Sequence, residues 1–225
     1  MPILPERVIR SEKVDVDNRL SDFGFTRQDI ATICDGARHG RSLSSSLQPK
    51  TAEGQLKYIF GVEGLREVAL QVGSVDYEVF SKSNIEGVLD EKNGRKLMFQ
   101  MVDQACGTTD PQPKSKIGTG KQRFIADSRS PRLFPEMDQD DRDREAKEAA
   151  LEKAECWYVM VSIDNAGVVC CELSHPRSVV DEKFDGFYER VKIFGYGDFE
   201  PTLSKGGGDP GDGDAFEIKP QITKR

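Results

Sequence analysis

Residues 156–176, CWYVMVSIDNAGVVCCELSHP, constrain the fold more than any other stretch of the chain. Two apolar runs flank Asp164-Asn165-Ala166-Gly167, residues that tolerate positive φ and let a chain reverse tightly. On strand periodicity Trp157, Val159, Val161 and Ile163 share one face, and Tyr158, Met160 and Ser162 the other. In the second run Val169, Cys171 and Leu173 fall together. A hairpin this apolar does not stand alone in water, so the remaining chain must cover it.

Helical cover is legible upstream. Thr26-Arg27-Gln28-Asp29 resembles a capping box, and Ile30, Ile33, Cys34 and Ala37 follow at helical spacing, predicting a short helix that ends near residues 36–40. Arg41 to Pro49 reads as a serine-rich loop. The clearest helix spans 52–72, with an apolar stripe of Leu56, Ile59, Phe60, Leu65, Val68, Ala69 and Val72. Its glycines at 54, 61 and 64 each cost about 1 kcal/mol relative to Ala. Their spacing either admits a close neighbour or interrupts the helix.

Further strands are expected at 77–80, 85–89 and 96–102, the last two joined at Lys92-Asn93-Gly94, where Asn-Gly suits a primed turn. Phe184, Phe187, Tyr188, Val191 and Phe194 suggest a short amphipathic helix over 181–195, with a strand at 191–194 as the alternative. Val14 and Val16 suggest at most a short strand near the start. The expectation is therefore an α+β fold. Its antiparallel sheet of hairpins packs against one long and one or two short helices and carries a long polar insertion. Its parts are an N-terminal arm (1–19), a single α+β domain (20–203) with a flexible charged insertion (104–154), and a Gly/Asp-rich linker with a C-terminal edge segment (204–225). That last part contains the run Asp209 to Asp214, which lacks EF-hand spacing and reads as linker.

A net charge of −7 argues against a dedicated duplex-DNA binder, which carries a basic footprint. No apolar run approaches the roughly 20 residues that span a bilayer. The opening residues, MPILPERVIRSEK, lack a signal-peptide core, and five cysteines make an odd count, so a cytoplasmic protein with reduced, buried thiols is expected.

The insertion is charge-segregated. From Lys114 to Arg132 six basic residues meet one acid, and from Glu136 to Glu155 nine acids meet four bases. Lys114, Lys116, Lys121, Arg123, Phe124, Arg129 and Arg132 are accordingly the candidate partner-binding residues. Another protein is the expected partner, with nucleic acid disfavoured by the net charge and no membrane. Gly118-Thr119-Gly120-Lys121 fails the Walker pattern, since Gln122 follows the lysine, but small residues beside a lysine can still touch a phosphate. Glu86, Asp103 and Glu172 lie on or beside strands and form an alternative metal reading, without the Asp…Glu-x-Lys run of metal-dependent nucleases. No cofactor is expected.

The helix over 52–72, the hairpin closing at Asn93-Gly94, the insertion from Gln104 to Phe124 and the segments WYVMVSI and CCELSHP together resemble uncharacterised bacterial proteins associated with mobile elements. That resemblance covers roughly Leu20 to Ile222 and implies a prokaryotic cytoplasmic setting, in host–phage conflict or element maintenance. No activity is assigned to that group, so no catalytic residue is carried over. The leading functional expectation is a non-enzymatic interaction protein, a subunit or regulator in an anti-phage defence or mobile-element system. The alternative is a nucleic-acid-acting protein, such as a divalent-metal-dependent nuclease. A third reading is a small-ligand or nucleotide sensor using Lys121 and neighbouring amides.

Overall fold

A computed structural model describes residues 7–82, 84–126 and 147–201. In chain order the elements are β1 (Val8–Arg10), α1 (Lys13–Ser21), α2 (Arg27–Ser42), α3 (Ala52–Gln71), β2 (Glu78–Lys82), β3 (Ile85–Asp90), β4 (Arg95–Met101) and α4 (Thr119–Ala126). Helical residues 147–153 (α5) then lead into β5 (Glu155–Ile163), β6 (Val169–Pro176), β7 (Val179–Val180), β8 (Lys183–Phe184) and β9 (Phe187–Phe194). The fold is α+β. Seven strands form one mixed sheet in the order β1-β9-β6-β5-β4-β3-β2, and β7 pairs with β8 separately.

The β5–β6 hairpin stands at the centre of this sheet with the expected faces. Trp157, Val159, Val161, Ile163, Val169, Cys171 and Leu173 pack toward α1–α3. Tyr158, Met160 and Cys170 pack on the other side. Its turn closes with Gly167 at φ +87 and Asp164 Oδ1 accepting from the Val168 amide at 2.8 Å. All five cysteines are buried thiols.

The two hairpins do not meet antiparallel. β4 runs parallel to β5, Arg95 opposite Glu155 through Met101 opposite Val161. Parallel neighbours require a crossover connection of a dozen or more residues. The stretch read as an insertion is that crossover, and its described parts cover the sheet's second face. Cys106, Ile117, Ile125, Leu151 and Ala154 are buried there against Met98, Tyr158, Met160 and Phe187.

On the first face the capping box forms as expected: the Asp29 amide donates to Thr26 Oγ1, and the Thr26 amide to Asp29 Oδ2. α2 nevertheless runs on to Ser42, because its glycines are contact points and not stops. A Cβ at Gly36 or Gly40 would collide with the α3 carbonyls of Phe60 and Leu56. In α3 the Gly61 notch receives the Phe99 ring, and Gly64 lies against the α2 backbone at Ile33.

Three local expectations are corrected. Residues 13–21 are helix, holding Val16 and Leu20 one turn apart in the core, so Val14 and Val16 make no strand. Residues 187–194 form β9 beside β6, so the strand alternative at 191–194 holds and the amphipathic helix does not, and Val191 and Ile193 face the helical layer. At Lys92-Asn93-Gly94 only Gly94 has positive φ, and Asp90 pairs with Arg95. The loop therefore holds four residues and no primed turn. Arg129, Arg132 and the segment 204–225 lie outside the described residues.

Candidate anion-binding site

The N-terminal turns of α3 present one stripe of residues. Thr51, the N-cap, makes no side-chain cap bond. Gly54 has open space where a Cβ would stand. Together with Lys50, Gln55, Lys57 and Tyr58 they form one wall of a cavity of about 540 Å³. Its opposite wall is Asn84, the end of β4 (Gln100 and Met101) and the crossover residues Lys114, Ser115 and Lys121. Among the described residues four lysines line this space, and no aspartate or glutamate does.

The crossover wall is fixed by its backbone. The Lys114 amide donates to the Met101 carbonyl at 3.1 Å, and the Ile117 amide to the Glu182 carbonyl at 3.2 Å. Ile117 itself is buried, so the loop is anchored between its two lysines. Lys121 then projects from α4. Its Nζ lies 3.3 Å from Gln100 Oε1 and 5.4 Å from the centre of the Tyr58 ring. Lys114 Nζ reaches the Ile163 carbonyl at 3.4 Å, and Lys57 Nζ donates to Glu53 Oε1 at 2.6 Å from a nearly buried position.

The cluster's electrostatics favour an anion. Desolvation pushes the Lys114 ammonium below its ordinary value, and the nearby Lys57 charge adds to that. Desolvation does the same to Lys121. Glu53, at the rim, is held below the usual carboxylate range chiefly by its bond to Lys57. Cations brought together out of water gain from a charge-bearing ligand, and the start of a long helix adds its own attraction for negative groups.

Of the expected partner-binding residues, Lys114 and Lys121 share this cavity. Lys116 points to solvent and pairs with Glu182 at 2.7 Å. Arg123 and Phe124 lie in α4, and the description does not extend to their side chains. Lys50, Lys57 and Tyr58 were missed in the sequence. The one available signal was a lysine set within the apolar stripe of a helix, at Lys57.

The carboxylates of the metal reading are separate. Glu86 turns toward α3, where the Ser81 hydroxyl and Arg66 hold it below the usual carboxylate range. Glu172 lies on the opposite face of the sheet and three strands away, a lateral distance of about 14 Å. It is fully buried and saturated, accepting from Arg190 Nε at 2.9 Å, Arg190 Nη2 at 2.5 Å, Ser174 Oγ at 2.7 Å and the Gly107 amide at 3.1 Å. Asp103 Oδ1 accepts from the amides of Ala105 and Gln112, closing the loop between them. Among the described residues no group of three or more His, Cys, Asp or Glu side chains is placed to hold a metal ion.

A larger open groove, about 1100 Å³, runs beside α2 and α3, but Asp35, Glu63 and Glu67 share it with Arg38 and Arg41. Such mixed charge selects no ligand class. Burial pushes the Cys156 thiol up to about 11, and it raises the Cys171 thiol as well. Neither is a nucleophile at neutral pH.

Fold and site together define an α+β domain with a mixed seven-stranded sheet and a lysine-lined cavity at the end of β4. The chain matches no family model, and no curated protein or solved structure matches it significantly. No helix among the described residues is long and apolar enough to cross a membrane.

Proposed function

We propose that this domain binds a small phosphate-bearing ligand and acts as a sensor. One observation carries the reading: four lysines and, among the described residues, no carboxylate line a cavity in a chain whose net charge is −7. Against that background a pocket of one sign is a local feature of the fold, not a consequence of composition. In the bacterial setting that the sequence resemblance implies, such a domain would report a phosphorylated small molecule to a partner protein. The sensor and subunit readings are then two ends of one mechanism.

Calorimetric titration with ribose 5-phosphate and pyrophosphate tests this. Binding is expected in the wild-type protein. It should weaken tenfold or more in Lys114→Gln or Lys57→Gln, since a charge-assisted bond is worth about 1.5–3 kcal/mol. The pH dependence has a definite sign. Lys114 and Lys121 lose their protons below the ordinary lysine value of 10.5, and an anion prefers them charged. Affinity should fall as pH rises through the alkaline range below 10.5, with proton uptake on binding. Absence of heat and of thermal stabilisation with both compounds would remove the proposal.

A second reading, docking to a protein, has its own support. Leu43 and Leu47 in the α2–α3 connection are 46% and 96% exposed. If this connection is the docking point, Leu47→Asp will abolish co-purification of a stoichiometric partner and leave the melting temperature unchanged. Retained co-purification would rule that surface out.

A further inference from the structure

We infer that the ligand of the lysine cavity is a nucleotide, with its base against Tyr58 and its phosphate between Lys57 and Lys114; this rests on the anion-binding reading above. At about 540 Å³ the cavity falls within the range of about 300–1,000 Å³ common to small-molecule sites, and a bare phosphate would leave most of it empty.

The walls divide into two groups. Tyr58, Gln100 and Lys121 form one linked group, the lysine standing over the ring and bonded to the Gln100 carboxamide. Lys57 and Lys114 form another, both within the field of Glu53. Tyr58 is only partly buried, and behind it stands Phe99, 6.4 Å away between ring centres and seated in the notch at Gly61. An aromatic ring so backed is a fixed platform, and every nucleobase has a face to stack on it. The Lys121 ammonium that stands over the ring moves to the edge of the stack when a base docks, and there a cation strengthens the stack further.

Part of the lining is neutral and polar. Gln55 and Asn84 contribute carboxamides, groups that pair with both donors and acceptors on the edge of a base. A sugar phosphate or an inorganic anion has no base to stack on the Tyr58 ring.

Calorimetry on the wild-type chain with the four ribonucleoside monophosphates and their triphosphates, set against ribose 5-phosphate and pyrophosphate, decides the matter. At least one nucleotide is expected to bind tenfold or more tightly than ribose 5-phosphate. Tyr58→Leu should abolish that advantage, lowering nucleotide affinity at least tenfold more than ribose 5-phosphate affinity, and Tyr58→Phe should preserve it. Equal affinities for nucleotides and ribose 5-phosphate in the wild-type protein would overturn the nucleotide assignment and leave the anion site standing. No binding of any compound would overturn both. If Tyr58→Leu fails to fold, the wild-type comparison and Tyr58→Phe still give the answer.

Discussion

The two faces of the sheet are closed by different means. The helical face is sealed by α1, α2 and α3, elements whose backbone groups are already bonded among themselves. They bring apolar side chains to an apolar sheet, and the contact closes by fit: glycines at 36, 40, 61 and 64 let backbone and rings approach. The crossover face is sealed largely by loop. Loop backbone arrives with its amides and carbonyls unpaired, and once buried they need partners. Of the nine described residues that are polar and buried, Lys96, Gln100, Ser162, Glu172, Ser174 and Arg190 alternate onto that face, and Lys57, Asp90 and Arg95 lie on the helical side. Several of them meet the incoming main chain. Lys96 Nζ donates to the Leu151 and Glu152 carbonyls at the end of α5, and Glu172 accepts from the Gly107 amide. The helical face closes mainly by shape, with a buried pair, Asp90–Arg95, bonded to the end of α1 at the Asp22 carbonyl, whereas the loop face relies on charge and hydrogen bonds throughout.

Adjacent residues of β6 test that contrast most sharply. Glu172 and Leu173 are both fully buried and point to opposite faces. Glu172→Ala leaves Arg190 buried with Asp110, 3.3 Å away, as its remaining counter-charge among the described residues, and should cost about 3–5 kcal/mol. Leu173→Met keeps volume on the helical face and should cost less than about 1.5 kcal/mol. Urea denaturation of the two variants compares them directly. Equal costs would erase the distinction between the faces.

On the helical face, Gly40→Ala attacks fit alone. The new methyl would collide with the Leu56 carbonyl, a backbone atom that no rotamer change can move aside. A loss of about 2–3 kcal/mol is expected, with α2 and α3 forced apart. On the crossover face, Lys96→Met removes a donor and leaves the shape, exposing two buried carbonyls to lost pairing at about 1–2 kcal/mol. Hydrogen exchange separates the mechanisms. Protection should fall first in α5 for Lys96→Met and first in α2 for Gly40→Ala. Global loss of protection in both would mean that the two faces fold as one unit.

The same contrast governs what the sequence reveals. The β5–β6 hairpin, the capping box and α3 are legible because period, turn and cap are local signals. The parallel join of β4 to β5 is not, since a buried strand reads alike in either direction, and the crossover's sparse apolar residues (Cys106, Ile117, Ile125, Leu151) resemble a polar insertion. β9 misleads because Phe187, Tyr188, Val191 and Phe194 sit at helical spacing. Register shifts opposite His175/Pro176 and Cys171/Glu172 break its strand alternation. Of the site, the sequence marks Lys114 and Lys121 as basic. Lys57 and Tyr58 look like part of an apolar helix until the crossover is laid against them.

The smallest expected effect comes from the turn that anchors this crossover. Asp181 and Glu182, at φ +49 and +64, make the two-residue link between β7 and β8. Two positive-φ residues define a primed turn, for which Asn-Gly is far better suited than Asp-Glu. The Glu182 carbonyl also receives the Ile117 amide, so this turn holds the loop between Lys114 and Lys121. Asp181→Asn with Glu182→Gly relieves the backbone and keeps that carbonyl. It loses only the solvent-exposed pair with Lys116, which is screened and contributes little. The more flexible unfolded chain offsets part of the gain. A net stabilisation of about 0.5–1 kcal/mol is expected, a rise of a few degrees in melting temperature, with phosphate affinity unchanged. A fall in both would mean that the Lys116–Glu182 contact, and not the backbone bond to Ile117, holds the lysine loop in place.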